Sequence, residues 1–307
     1  MPRSSLQNLP AYARVLTPMP RQRAPHPPDD VLRLAGVRID ADHVSRYAAL
    51  VGEPQSAQLP LLYPSLLGFG LQLRLLSDRR FPVPALGLLH LSNQVRTTRA
   101  IQRDAVLDVE VRATALRPHH RGRTVDLLTQ VSQDGEPVWF QTSTYLHREH
   151  REPVPSGSAP LRADLDQSDR DRTGPRGADL GRGPAGELSP SACWHLPADL
   201  GRRYAALSGD VNPIHLYPLG AKALGLRRQI VHGMWTAAAV AGALVNRMPA
   251  AVLFTVEFRR PIALPSTVWL ETALHGDVAR ARVRCGEDVA LVALSQPAPA
   301  GQPTPAG

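Results

Sequence analysis

The apolar positions of this chain follow two periods, helical and alternating, and the same order of periods occurs twice. The run YPSLLGFGLQLRLL predicts a helix beginning near Pro64. Strand-like stretches follow it. In LDVEVRATAL, Leu107, Val109, Val111 and Ala113 alternate with Asp108, Glu110, Arg112 and Thr114, the period of a half-buried strand. TVDLLTQVSQDGEPVWFQTSTYL predicts two strands about a turn at Asp134-Gly135, a pair of residue types that tight hairpins favour. Farther on, HGMWTAAAVAGALVNRM predicts an apolar helix, and AVLFTVEFRRPI, STVWLETALHG, VARARVRCG and DVALVALSQ predict short strands after it. A buried helix followed by consecutive strands predicts an α+β fold, an antiparallel sheet wrapped on a helix. The absence of helices between those strands argues against a doubly wound parallel sheet.

Between the two runs lies REPVPSGSAPLRADLDQSDRDRTGPRGADLGRGPAGEL, which has no apolar period and the composition of a linker. The expected division is an extension at 1–30, a first domain at 31–150, a linker at 151–187 and a second domain at 188–307. The tail after Gln296 is expected to be poorly ordered. The domains share a match, RYAALVGE from Arg46 and RYAALSGD from Arg203, and 203 minus 46 gives an offset of 157. We read it as a duplication. At that offset Glu53 stands opposite Asp210 and Gln58 opposite His215, so any acid–base chemistry is expected in the second domain.

Composition narrows the setting. The chain of 307 residues is 43% hydrophobic, enough for two cores. Cys193 and Cys285 form no disulfide framework, which suits a reducing compartment. The apolar run from Met234 to Val245 is too short, and too rich in Ala and Gly, to span a bilayer. MPRSSLQNLPAYARVL lacks the apolar core of a secretory signal. A soluble cytoplasmic protein is expected. The net charge of +8 is carried almost wholly by arginine, Lys222 being the sole lysine. Such an excess attracts an acidic small substrate or an acidic carrier protein. Nucleic acid is disfavoured, because aromatics are only 5% and no zinc-finger spacing or basic recognition helix is present.

The chemistry concentrates in RRYAALSGDVNPIHLYPLGAKALG, Arg202 to Gly225. Gly209 can end a helix in the left-handed conformation, and Pro213 forbids its continuation. Asp210, Asn212 and His215 therefore fall on a short loop, with PLGAKALG as the next short helix. A carboxylate and an imidazole on one loop can hold a water and move protons to and from it, with Asn212 orienting either. Gly233 opens the apolar helix, where free backbone N–H groups can stabilise an oxyanion. The same residue types also serve as helix caps and as ordinary loop polar groups. His119 and His120 form a basic turn that could meet phosphate. His195, Cys193 and Cys285 lack metal-ligand spacing, and no metal is expected. The GFG at Gly68–Gly70 is no dinucleotide site, and no G-x-S-x-G elbow occurs.

YAALSGDVNPIH, then Ala221, then IVHGM resembles the hydratase 2 motif of the MaoC-like family of enoyl-thioester hydratases and dehydratases. Tyr204, Ser208, Gly209, Asp210, Asn212, Pro213, Ile214 and His215 all fit it. VEFRRPIALPSTVWLETAL is similar to the family's F-x-x-P-V-x-x-G-D strand pair, with Pro265-Ser266 where Gly-Asp is usual. The first domain resembles the degenerate repeat of two-domain members. The resemblance implies a double hot dog fold, each half a long helix wrapped by a curved sheet. It implies that Asp210 and His215 activate water, that Asn212 supports them and that the Gly233 N–H holds the thioester oxygen. His232 and Tyr204 are placed beside the substrate, and Arg259 and Arg260 near the phosphates of coenzyme A or a carrier protein. The implied reaction is reversible syn hydration of a trans-2-enoyl thioester to an (R)-3-hydroxyacyl thioester, without cofactor. The partner is acyl-CoA or an acyl carrier, and a homodimer is compatible with the chain. The first domain is expected to widen a tunnel for a longer acyl chain. The rival readings are a hot dog thioesterase and a non-catalytic acyl-thioester-binding protein.

Overall fold

The computed structural model describes residues 26–149 and 187–299. The expected extension up to residue 25, the linker up to residue 186 and residues 300–307 lie outside the described residues. The first half contains β1 (Leu32–Arg38), α1 (Ala41–Val51), α2 (Pro64–Leu76), β2 (Leu89–Thr97), β3 (Val106–Ala113), β4 (Arg117–His119), β5 (Gly122–Gln133) and β6 (Glu136–Arg148). The second contains β7 (Ser189–Leu196), α3 (Leu200–Ser208), α4 (Pro213–Leu216), α5 (Pro218–Ala223), α6 (Gly233–Leu244), β8 (Val252–Phe258), β9 (Ser266–His275), β10 (Val278–Cys285) and β11 (Asp288–Pro297).

The strands form one 11-stranded sheet in the order β1-β3-β5-β6-β2-β8-β11-β10-β9-β7, with β4 beside β5. Every pairing is antiparallel. Read outward from the centre, both halves show the same succession of strands, which agrees with a duplication. The centre is the β2–β8 pair, with Asn93 opposite Val256 and Val95 opposite Phe254. Val95 is 0% exposed and Phe254 1%, and each such side chain contributes roughly 1.5–3 kcal/mol by leaving water.

Local chemistry explains the elements. In β3, Leu107, Val109 and Val111 face the core, and their polar neighbours face out. The β5–β6 hairpin turns on Asp134 at φ 55° and Gly135 at φ 79°, as two central residues with positive φ require. Asp40 caps α1 by accepting the N–H groups of Asp42 and His43. Both copies of the repeated motif stop their helix the same way, on left-handed Gly52 and Gly209, each at φ 73°.

The central helices α2 and α6 fill the concave sheet. Almost all of α6 is buried, and its alanines keep it thin enough to lie close to its neighbours. A Cβ on Gly242 would stand only 3.1 Å from the Glu53 Cβ of the other half. Trp235 Nε1–H donates to the Leu50 carbonyl at 3.0 Å, and His43 Nε2–H donates to the Leu207 carbonyl at 3.1 Å. One apolar core therefore runs through both halves.

Two expectations change. The strand pairing matches Gln58 with Ile230, not with His215. Gln58 bridges Gln102 as Ile230 bridges Ala263, and Leu59 N–H donates to Ile101 as Val231 N–H donates to Ile262. The offset is thus 230 − 58 = 172 here against 157 in the helix before, and 172 − 157 leaves 15 extra residues in the second half. Those extra residues are the segment holding α4 and α5, so His215 has no counterpart in the first half. Secondly, β11 runs on to Pro297, and Ala298 N–H donates to the Ala251 carbonyl at 3.0 Å, so the first residues after Gln296 belong to the sheet, while the rest of the expected tail lies outside the described residues.

Candidate active site

The site begins where α3 ends. After left-handed Gly209, the Asp210 N–H donates to Ser208 Oγ at 3.1 Å, and Asp210 Oδ1 accepts the Asn212 N–H at 3.2 Å. Asn212 Oδ1 in turn accepts the Ile214 N–H at 3.3 Å, which caps α4. Pro213 occupies the first helical position, where its missing N–H costs nothing. The single turn of α4 then carries His215 back toward Asp210. Gly201 makes this possible, since a Cβ there would lie 1.9 Å from the His215 carbonyl oxygen. Sequence reading passed over Gly201, because a glycine near the start of a helix carries no signal of a close backbone crossing.

His215 is buried, with Nδ1 at 2.8 Å from the Ile230 carbonyl oxygen. A carbonyl only accepts, so Nδ1 bears the proton and Nε2 keeps its lone pair. Burial lowers the His215 pKa below its ordinary 6.5, against the opposing pull of the Asp210 charge and the Ile230 carbonyl. The ring is therefore neutral at pH 7. His232, 2% exposed, stacks on it with ring centres 3.8 Å apart and planes at 29°. Its Nε2–H donates to the Asp210 backbone carbonyl at 3.0 Å, and burial, helped by His215, pushes its pKa down to about 3. The 3.8 Å approach of His232 Nε2 to Asp210 Oδ2 is thus a polar contact with a neutral ring rather than an ion pair. Tyr204, 2% exposed, lies with its ring 4.9 Å from His232, and burial holds its phenol protonated. His232 and Tyr204 form a buried backing behind the Asp210 loop.

Asp210, His215 and His232 each offer a polar atom within 4.8 Å of the others. Stacked imidazoles are poorly placed to share an ion. His215 Nδ1 and His232 Nε2 are already hydrogen-bonded to the Ile230 and Asp210 carbonyls, which leaves one lone pair on each ring, in planes 29° apart. The arrangement suits a water and a proton better.

Gly233 is the first residue of α6. The Phe258 ring packs on its α-carbon, and a Cβ there would meet two ring atoms at 3.0 Å. The helix N-terminus brings backbone N–H groups and the positive end of the dipole to the same place. Opposite, the first half adds a wall that sequence reading missed. The His90 ring is stacked on Tyr145, centres 4.5 Å apart, and tilted on Phe258 at 4.7 Å. Both His90 and Tyr145 feel the Asp210 charge, although burial dominates and pushes the His90 pKa down to about 4. A register shift between His90 and Ser92 sets His90 opposite Tyr145. An irregularity of that kind breaks the period-two pattern from which an inward side chain would be read.

The remaining candidates lie apart from this cluster or beside it. Arg259 and Arg260 follow Phe258. Arg259 approaches Glu257 at 3.5 Å, and Arg260 pairs with Asp288 at 3.1 Å. His119 and His120 lie ring to ring in the first half, tilted at 34° with centres 4.1 Å apart, and His195 meets Thr267 Oγ1 at 3.0 Å.

Comparison with known proteins gives consistent results. Residues 187–293 match the family model of the MaoC like domain. The chain is 36% identical over 279 residues to the 3-hydroxyacyl-thioester dehydratase X of Mycobacterium tuberculosis, covering 89% of this chain and 90% of that protein. The crystal structure of HtdX from Mycobacterium tuberculosis superposes with a TM-score of 0.71 at 31% identity, over 88% of this chain and 100% of that one. A further Mycobacterium tuberculosis protein, described as a double hot dog fold, matches at a TM-score of 0.53 and 15% identity over 87% of this chain and 95% of that one, a likeness of fold alone. Two wrapped helices under one continuous sheet, with the aspartate–histidine loop in the second repeat, place this chain in the MaoC-like dehydratase family, with a double hot dog fold.

Proposed function

We propose that the protein catalyses the reversible hydration of trans-2-enoyl thioesters to (R)-3-hydroxyacyl thioesters, with acyl-CoA or an acyl carrier as partner. The observation that carries this reading is the Asp210–His215 pair, polar atoms within 4.8 Å, with the imidazole neutral and its free lone pair on Nε2. In hydration, Asp210 and His215 hold one water. His215 Nε2 takes a proton as the water oxygen bonds to C3, and the double-bond electrons move to C2 and the thioester oxygen. The Gly233 N–H stabilises that developing negative charge. The pair then gives a proton to C2 on the face that received the oxygen. One water has been added, and the protein is back in its starting state. Dehydration is the reverse. Every group needed is a side chain or a backbone amide of this chain, so the reading requires no cofactor. Asn212 acts through the loop, by capping the helix that carries His215. His232 and Tyr204 brace the same loop. The ring wall of His90 and Tyr145 is the first half's contribution, and we assign it to the acyl chain. Arg259 and Arg260 can meet thioester phosphates only in competition with their carboxylate neighbours. The unpaired Cys193 and Cys285 suit a cytoplasmic setting.

Crotonyl-CoA tests the reaction. Loss of the conjugated enoyl absorbance with formation of the R alcohol is expected. Release of free thiol instead would make the protein a thioesterase, and binding without either change would make it an acyl-thioester-binding protein.

A further inference from the structure

The 15 residues that the second half has gained hold more than His215. The segment from Val211 to Arg228 contains no Asp or Glu. It exposes Leu219 at 79%, the most exposed large apolar side chain described, together with Tyr217 at 57% and Leu224 at 37%. Arg202 lies over the Tyr217 ring at 5.0 Å and donates to the Leu216 carbonyl at 3.1 Å, which ties α3 to the patch. Gly220 packs on Pro213, and Leu226 N–H donates to the Ala221 carbonyl at 2.9 Å, so the segment is one compact surface. Lys222, Arg227 and Arg228 are exposed on it. Neither these three cations nor Arg202 has a carboxylate partner among the described residues.

We propose that this patch docks an acidic carrier protein that delivers the acyl chain on a phosphopantetheine arm to the neighbouring Asp210–His215 site. The proposal rests on the hydration reading, and names the partner that the reading leaves open. Charge complementarity selects an acidic surface, and steers it toward a basic face before contact. Phosphates of free coenzyme A could use the cations, but would leave Leu219 and Leu224 in water. A protein partner buries them, in the pattern of an apolar centre with a charged rim. The patch sits on the segment that carries His215, so a docked carrier is anchored beside the chemistry. The first half, which lacks the segment, lacks both the patch and the histidine.

The test uses the full chain and a triple variant, Leu219→Glu, Arg227→Glu and Arg228→Glu, which touches none of the residues assigned to the reaction. Binding is read by fluorescence anisotropy with an acidic acyl carrier protein bearing a butyryl group, which cannot be hydrated. Turnover is read with crotonyl-carrier and with crotonyl-CoA. The expected result is at least about tenfold weaker carrier binding, and an equal fall in kcat/KM for crotonyl-carrier, with crotonyl-CoA changed less than about twofold. Equal losses for both thioesters would assign the patch to coenzyme A phosphates and overturn the proposal. Unchanged carrier binding would also overturn it, as would a chain dimer that the variant dissociates. If the native protein binds carrier but turns over neither thioester, the reaction has been misread while the docking surface stands.

Discussion

At the scale of single residues, the loop from Ser208 to His215 does two jobs with the same atoms. Asp210 Oδ1 and Asn212 Oδ1 accept backbone N–H groups, the ordinary work of turns and caps, and by doing so they set where His215 points. Asn212→Ala removes the cap, which costs about 1 kcal/mol of local stability. It should lower kcat several-fold with little change in KM, because the misplaced group is the base and not a substrate contact. Asn212→Ser keeps a capping oxygen and should keep most of kcat. Steady-state kinetics of the two variants separates capping from direct contact, since a direct contact would be lost in both. Asp210 and Asn212 fall on the loop that the sequence predicts, whereas His215, expected on the same loop, lies in the helical turn Pro213–Leu216, because Pro213 that ends one helix also starts the next. The tautomer of His215 was not legible in the sequence, because it depends on the Ile230 carbonyl, 15 residues away in the chain.

At the scale of elements, α6 and β8 meet at a glycine. Gly233 was legible as a helix start, but the reason for glycine there lies in Phe258, on a strand that sequence reading could not place against it. Gly233→Ala puts a Cβ at 3.0 Å from the Phe258 ring, so either the ring or the helix end must shift. The expected result is a fall in kcat of about tenfold or more, as the backbone donor leaves its line. Adding Phe258→Leu should recover part of the loss, measurable as a coupling in a double-mutant cycle. Exact additivity of the two would show that the ring does not hold the helix end. The pairing Gln58 with His215 failed for a related reason. A constant offset assumes equal loops, and the second half inserted a segment inside the repeat.

For the whole molecule, the strand content and the wrapped helices were readable from the alternating and helical periods, and the duplication from the shared RYAAL stretch. The fusion of both halves into one sheet was not, since nothing in an isolated strand names its partner across β2 and β8. The second half also buries a neutral histidine. His232 titrates near 6.5 when unfolded and near 3 when folded, so the unfolded state binds more protons below pH 6.5. Stability is therefore full above that value and declines as pH falls. By pH 5 His232 alone accounts for a loss of about 2 kcal/mol. Urea unfolding at pH 7 and pH 5 measures the sum over the buried groups, in which His90 and His215 act in the same sense and Glu53, raised to about 7, in the opposite one, and His232→Phe should make the loss smaller. An equal loss in the native protein and in His232→Phe would show that His232 is not buried neutral. The central claim, that one carboxylate and one imidazole of the second repeat share a single water, is tested most directly by crotonyl-CoA kinetics of Asp210→Asn, His215→Ala and the double variant. Each single change should lower kcat by about 10²–10⁴ without altering the circular dichroism, and the double should be little worse than either, as groups acting as a unit require. A folded Asp210→Asn or His215→Ala protein within tenfold of native kcat would contradict it.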